Sequence, residues 1–367
     1  MTGTSSLTLY IGTYTLRNPS VNGRADGIYR YQLDPLSGAL TFAEVIDGSG
    51  TVNPSWLTLA PDRRHLYAVN EITGAEGTTG TVSAFAIDPA TGHLRYLNQQ
   101  ATLGLAPCYV SVAPAGNACL VANYETGNLC VVPIEADGSL GAPAQVIQFA
   151  GSGPNRARQA GSHAHMVLQQ PDGRHIYAID LGSDRIMHYR FDTAHGELIP
   201  ANPPWMVLPP GTGPRHIAFH PHAPVAYIIS ELQSTITVCR HDPASGALAA
   251  LQTLSTLPPG FVGQNLGAEI QVAPSGRFVY ASNRGHNSLA TFAVDPATDE
   301  LTLLGHVPTQ GSGPRAFIIL PAGDMLLVAN QETDTVVAMR IDPKTGALSA
   351  TGQVAAVPSP VCLQLLM

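Results

Sequence analysis

The sequence predicts an all-β fold, a seven-bladed β-propeller whose ring is closed by the C-terminal strand completing the N-terminal blade. Three observations carry that expectation. One pattern recurs seven times along the 367 residues, at a period of about 50 residues. Each copy holds three or four short strand-like runs and no helical pattern. Neither end of the chain holds a full copy.

The best copy runs Gly267-Ala-Glu-Ile-Gln-Val-Ala-Pro-Ser-Gly-Arg-Phe-Val-Tyr-Ala-Ser-Asn-Arg284 and continues Ser288-Leu-Ala-Thr-Phe-Ala-Val-Asp-Pro296. Aligned on the second strand, the copies fall at residues 7–14, 65–70, 119–124, 175–180, 225–231, 278–284 and 326–332. A Pro-containing turn precedes most of these strands: Pro61-Asp62, Pro114-Ala-Gly116, Pro171-Asp-Gly173, Pro274-Ser-Gly276 and Pro321-Ala-Gly323. Pro presets φ and Gly takes the positive-φ position, which suits a tight hairpin. The third strand ends in Asp-Pro at Asp34, Asp88, Asp242, Asp295 and Asp342, and Gly-x-Leu opens the fourth at Gly38, Gly92, Gly246 and Gly346. The Asp-Pro text is accounted for by turn chemistry, without calcium. Asn70, Asn123, Asn283 and Asn330 recur at one position and are expected to bond backbone at the strand end.

The N-terminus opens on second-strand text, Leu7-Thr-Leu-Tyr-Ile-Gly-Thr13. The C-terminus stops after first-strand text, Ser359-Pro-Val-Cys-Leu-Gln-Leu-Leu366, which is similar to Asn53-Pro-Ser-Trp-Leu-Thr-Leu59. Pairing the two closes the ring and removes exposed sheet edges. Loss of the final eight residues should then destabilise the distant N-terminal blade.

Gly 36 and Pro 30 are spread along the chain, so a single domain spanning 1–367 is expected. A charged fraction of 12%, a net charge of −8 and no Lys/Arg run argue against nucleic-acid or membrane partners. Met1-Thr-Gly-Thr-Ser lacks a signal-peptide pattern. Cys108, Cys119, Cys130, Cys239 and Cys362 lack CxxC spacing and read as buried thiols of a reducing compartment. A cytoplasmic protein, monomeric or weakly homo-oligomeric, without metal or cofactor, is expected.

Propellers gather function at one mouth of the central channel, reached by side chains at first-strand starts and second-strand ends. The first group is Asn53, Trp56, Tyr109, His163, His165, Arg215, His216, Glu269 and Arg315; the second is Asn70, Glu71, Asn123, Glu125, Asp180, Glu231, Asn283, Arg284, His286 and Gln331. Ionisable groups concentrate in the fourth to sixth copies. His163 and His165, two apart, are expected on one side of a strand. A His, a carboxylate and two guanidinium groups, His165, Glu231, Arg215 and Arg284, would suit a small anionic substrate. Bland alternatives stand beside this: Arg215 and Glu231 as a structural ion pair, Arg215 or Arg315 as a blade-to-blade tether, His163 and His165 as two metal ligands, and His65 and His175 as surface residues of the opposite face.

Gly151-Ser-Gly-Pro-Asn-Arg-Ala-Arg-Gln159, Ser162-His-Ala-His165, Asp180-Leu-Gly-Ser-Asp-Arg185, Gly213-Pro-Arg-His216, Ser230-Glu-Leu-Gln-Ser-Thr235, Ala281-Ser-Asn-Arg-Gly-His286 and Ala329-Asn-Gln-Glu332 closely resemble the seven-bladed propeller lactonases. These are typified by bacterial propeller-type 6-phosphogluconolactonase, with the fungal carboxy-muconate lactonizing enzyme as a relative. The resemblance covers essentially the whole chain and implies a metal-independent site for a sugar-acid lactone. The pocket of the muconate-cyclising relatives maps onto His165, Arg215, Glu231 and Arg284. Gln271, where relatives often carry His, and Met166 depart from the pattern.

The expected reaction is hydrolysis of a small anionic lactone, 6-phosphogluconolactone first, by water that His165 or Glu231 deprotonates, while Arg215 and Arg284 stabilise the oxyanion. No Gly-x-Ser-x-Gly elbow offers a serine nucleophile. Asn155, Arg158 and Gln159 on the Gly-rich loop, with His163, His216, Glu269, Asn283 and His286, are expected to bind substrate. Replacing His165 or Arg215 with Ala should abolish turnover and spare the thermal midpoint. A lactonizing cycloisomerase sharing the quartet and a non-catalytic scaffold are the rival readings.

Overall fold

The computed structural model describes residues 6–17, 21–48, 50–73, 79–170 and 173–367. The opening Met1-Thr-Gly-Thr-Ser and the Pro171-Asp172 part of one expected turn lie outside the described residues. Seven four-stranded antiparallel sheets form the molecule. The first strands of the sheets, Trp56–Leu59, Pro107–Val112, Ala164–Gln169, Pro214–Phe219, Leu266–Val272, Pro314–Ile319 and Pro360–Leu366, each touch the next, and the last touches the first. They therefore line a central channel. Blade 1 comprises residues 7–47 with 360–366, and blades 2 to 7 comprise 56–101, 107–148, 164–207, 214–255, 266–308 and 314–356.

Closure occurs as the sequence predicts. Pro360–Leu366 pairs antiparallel with Leu7–Thr13, running from Thr8 opposite Leu366 to Thr13 opposite Pro360. The second strand of blade 7 is Met325–Asn330, so Gln331 and Glu332, expected within it, stand in the following turn. Third strands stop one residue before the Asp of each Asp-Pro. That carboxylate instead accepts the N–H two residues on, from Leu36, Ala90, Ala244, Ala297 and Lys344 at 2.8–2.9 Å. These are Asx turns, which satisfy the backbone locally.

The recurring asparagines do bond backbone. Nδ2 of Asn123, Asn283 and Asn330 donates to the carbonyls of Thr102, Thr256 and Thr309, each on the segment entering the same blade. Asn70 instead donates to Thr81 and Ser83 hydroxyls. A second repeat device joins neighbouring blades. The second-strand tyrosines Tyr10, Tyr67, Tyr177 and Tyr280 are fully buried, and their hydroxyls donate to the carbonyls of Gly92, Gly138, Gly246 and Gly346 in the next blade at 2.6–3.1 Å. Blade 6 has Asp299 where its neighbours have that glycine, and the Tyr227 hydroxyl finds no partner among the described residues. His175, expected at the surface, is 3% exposed and meets His188 at 2.9 Å. The five cysteines are buried and unpaired.

Candidate active site

Strict alternation fails at one mouth of the channel, and this failure builds the site. In six blades, 1 and 3 to 7, the first strand carries one extra residue against its neighbour, and in blades 3, 4, 5 and 7 it lies between Pro107 and Tyr109, Ala164 and Met166, Pro214 and His216, and Pro314 and Ala316. In these four blades the extra residues are Cys108, His165, Arg215 and Arg315. A β-bulge bends its strand and re-aims the side chain it carries. His165 stands edge-on to the Tyr124 ring at 5.6 Å, and His163, which precedes the strand, meets the same ring. The His163 ring stacks on Tyr124 at 4.6 Å, and its Nδ1 meets the Tyr124 carbonyl.

The residue after each second strand supplies the rest. Tyr14, Glu71, Tyr124, Leu181, Glu231 and Gln331 occupy one position of the repeat, each donating its N–H to a carbonyl just before a first strand. Four of them, Tyr14, Glu71, Tyr124 and Glu231, join Arg284, His165, Cys108, Arg315, Arg158, Glu125, Leu266, Ala106, Thr73 and Val21 around a cavity of about 600 Å³.

Glu231, 4% exposed, is the electrostatic centre. Its Oε2 accepts from Arg215 Nε at 3.2 Å and Arg284 Nη2 at 2.7 Å, and its Oε1 accepts from Arg158 Nη2, which also bonds the Tyr124 hydroxyl. Burial would raise the Glu231 carboxyl, but Arg284, Arg215 and Arg158 outweigh it and hold the group well below the usual carboxylate range. Arg215 is 2% exposed and does not reach the cavity. Its Nη1 donates to the Ala268 carbonyl of blade 6 at 2.7 Å, so of the two Gly-Pro-Arg arginines this one is the blade-to-blade tether. Burial, Arg284 and Arg315 bring its guanidinium down to about 10.

His165 is 5% exposed, walls the cavity, and its Nδ1 has no partner among the described residues. Burial first, then Arg215, His216 and Arg315, hold its imidazole well below the ordinary histidine value, so it is uncharged near neutral pH. Beneath it lies His216, 5.3 Å between ring centres, and edge-on to His216 stand the stacked rings of Trp56 and Tyr109. Burial and Arg215 bring His216 down to about 4. These rings lie between the site cavity and a second one of about 380 Å³, walled by Trp56, Tyr109, Phe219, Phe317 and Glu269.

Of the residues expected at the site, His165, Glu231, Arg284 and Arg158 are brought together. Arg215 touches Glu231 from behind. The others do not wall this cavity. His216 and Glu269 pair below it at 3.3 Å. Gln159 is fully buried, bonding the Leu181 carbonyl and Asp184. Asn155 is exposed at the start of the same loop turn, its carbonyl accepting from the Gln159 N–H. Asn283 is committed to the Thr256 carbonyl. His286 bonds Ser288 and packs on Phe261 and His306. Sequence reasoning missed Tyr14, Tyr124 and Cys108. The two tyrosines follow Thr13 and Asn123 directly, so the positional rule that found Glu231 also selects them.

Comparison with known proteins bears on this geometry. A family model described as lactonase, 7-bladed β-propeller, matches residues 8–365. The chain is 35% identical over 357 residues to the 6-phosphogluconolactonase of Bacillus subtilis (strain 168), with 97% of each chain covered. It is 34% identical to the 6-phosphogluconolactonase of Pectobacterium carotovorum subsp. carotovorum (strain PC1), covering 92% of this chain and 95% of the other. Among solved structures it is similar to the periplasmic gluconolactonase of Pseudomonas aeruginosa, at 36% identity and a TM-score of 0.91 with 99% of both chains covered.

Proposed function

Because the chain belongs to the seven-bladed β-propeller lactonase family, we propose that its Glu231-centred cavity opens a sugar-acid lactone, with 6-phosphogluconolactone as substrate and 6-phosphogluconate as product. The supporting observation is His165: uncharged, in the cavity wall, and in the field of the Arg215, Arg315 and Arg284 guanidinium groups. The imidazole takes a proton from water, and the oxygen forms a bond to the lactone carbonyl carbon. Negative charge develops on the carbonyl oxygen next to Arg284, which lines the same cavity. As the tetrahedral centre collapses, the bond to the ring oxygen breaks and the imidazolium returns its proton to that oxygen.

Glu231 is a poor proton acceptor, since three arginines stabilise its anion. Its role is to hold Arg158 and Arg284 in place. An anionic substrate offsets the positive field on His165 and moves its basicity back toward the ordinary value. A phosphorylated substrate would put the reaction in the pentose phosphate pathway and the protein in the cytoplasm, to which five free, buried thiols lend support.

The test is turnover of 6-phosphogluconolactone with spontaneous hydrolysis subtracted. The wild-type protein accelerates ring opening, and His165→Gln loses about 100-fold or more. A wild type that leaves the background rate unchanged overturns the substrate, and a fully active His165→Gln overturns the base.

A further inference from the structure

We propose that Arg315 is the specificity residue that takes the oxyanion at the far end of the substrate, the phosphate of a phosphorylated lactone. This rests on the lactonase reading above. The two Gly-Pro-Arg segments, at Gly213 and Gly313, share one backbone: both glycines have positive φ, of 59° and 69°, and both arginines sit on a bulge after the proline. In both blades the residue sixteen positions after the arginine returns its N–H to that glycine's carbonyl, Glu231 to Gly213 at 2.7 Å and Gln331 to Gly313 at 3.0 Å. The frameworks are equivalent, and the carboxylate that binds Arg215 is an uncharged amide in blade 7.

The consequence is visible in how the guanidinium groups are spent. Arg158, Arg215 and Arg284 all end on Glu231. Arg315 walls the same cavity and makes no hydrogen bond or ion pair among the described residues; its guanidinium carbon lies over the Tyr14 ring at 5.4 Å. Tyr14 is itself fixed, its hydroxyl donating to Glu71 Oε2 at 2.9 Å. Burial works against the Arg315 cation, but Tyr14, Glu71 and Glu231 more than offset it, so the group stays charged. A planar fork of donors, ordered by a ring and unspent on protein, matches a phosphate or carboxylate bidentately.

The experiment measures affinity for 6-phosphogluconate against gluconate by calorimetry in the wild type, Arg315→Met, Arg315→Lys and Gln331→Glu. The wild type favours the phosphorylated ligand, and Arg315→Met reduces that preference about 10- to 150-fold, the value of a charged hydrogen-bonded contact. Arg315→Lys restores part of it. Gln331→Glu keeps the arginine but gives it an internal carboxylate, and reduces the preference in the same direction. An unchanged preference in Arg315→Met, or equal weakening of both ligands, overturns the assignment. Ligand binding does not depend on turnover: an inactive wild type that retains an Arg315-dependent phosphate preference defeats the lactonase reading alone.

Discussion

Replacing Glu231 by Gln probes the charge cluster most sharply, because the change keeps shape and removes one charge. Arg215 and Glu231 are 2% and 4% exposed, and among the described residues the ion pairs of Arg158, Arg215 and Arg284 all end on this carboxylate. Removing one partner of a buried pair costs about 3–5 kcal/mol, because the remaining charges keep their desolvation cost without compensation. With an unfolding entropy of about 2.1 cal/mol/K per residue over a cooperative transition of 367 residues, that cost lowers the thermal midpoint by about 4–6 °C. Arg315→Met is the control: Arg315 makes no hydrogen bond or ion pair among the described residues, and loss of its contact with the Tyr14 ring shifts the midpoint by about 1 °C. By the same reasoning Arg215→Ala, which the sequence alone predicts to spare the fold, destabilises it. Scanning calorimetry of the three variants decides: an unshifted midpoint in Glu231→Gln would refute the buried cluster.

Tyr177→Phe removes a latch to the Gly246 carbonyl and costs about 1 kcal/mol, whereas Tyr227→Phe removes a buried hydroxyl without a partner among the described residues and is neutral or stabilising in the same urea titration; equal costs would contradict the latch. Deleting residues 360–367 strips Val361, Cys362, Leu363 and Leu365, all buried, from blade 1. At about 1.5–3 kcal/mol for each large side chain the loss approaches the stability of a whole domain, and the truncated chain should fail to give a cooperative transition. Acid should also destabilise the fold. His216 and His165 are held below the ordinary value of 6.5 in the folded chain, His216 at about 4, so the unfolded chain binds their protons first. Stability from each is full above about pH 6.5 and declines below it by about 1.4 kcal/mol per pH unit. Glu231, also depressed, adds its loss below about pH 4.5 in the same sense. A midpoint at pH 5 equal to that at pH 7.5 would contradict this.

The ring was legible because its turns are written in residues with few conformational alternatives. Asp before Pro signals an Asx turn wherever it occurs, and Gly38, Gly92, Gly246 and Gly346 all take positive φ. Closure was legible because the C-terminal text matched a first strand and the N-terminal text a second. The site was legible at Glu231 and Arg284, whose place after a second strand follows from topology alone. His165 and Arg315 were legible as first-strand starts, but the bulges that aim them were not, since two-against-one pairing leaves no mark in alternation. Polarity also misled: Gln159 and Asn283 look functional in a chain poor in charge, yet the fold uses them to satisfy buried carbonyls. The contrast between Arg215 and Arg315 was present in the text as Glu231 against Gln331, but it acquires meaning only once the two backbones share the glycine φ, the bulge and the hydrogen bond to the glycine carbonyl.

The most direct test of the central claim is a crystal of the protein soaked with 6-phosphogluconate. The product should lie in the cavity walled by His165, Glu231 and Arg284, its carboxylate within hydrogen-bond distance of Arg284 and His165, and its phosphate on Arg315. Product bound in the opposite cavity beside Trp56, or in the expected cavity without contact to His165, would contradict the account.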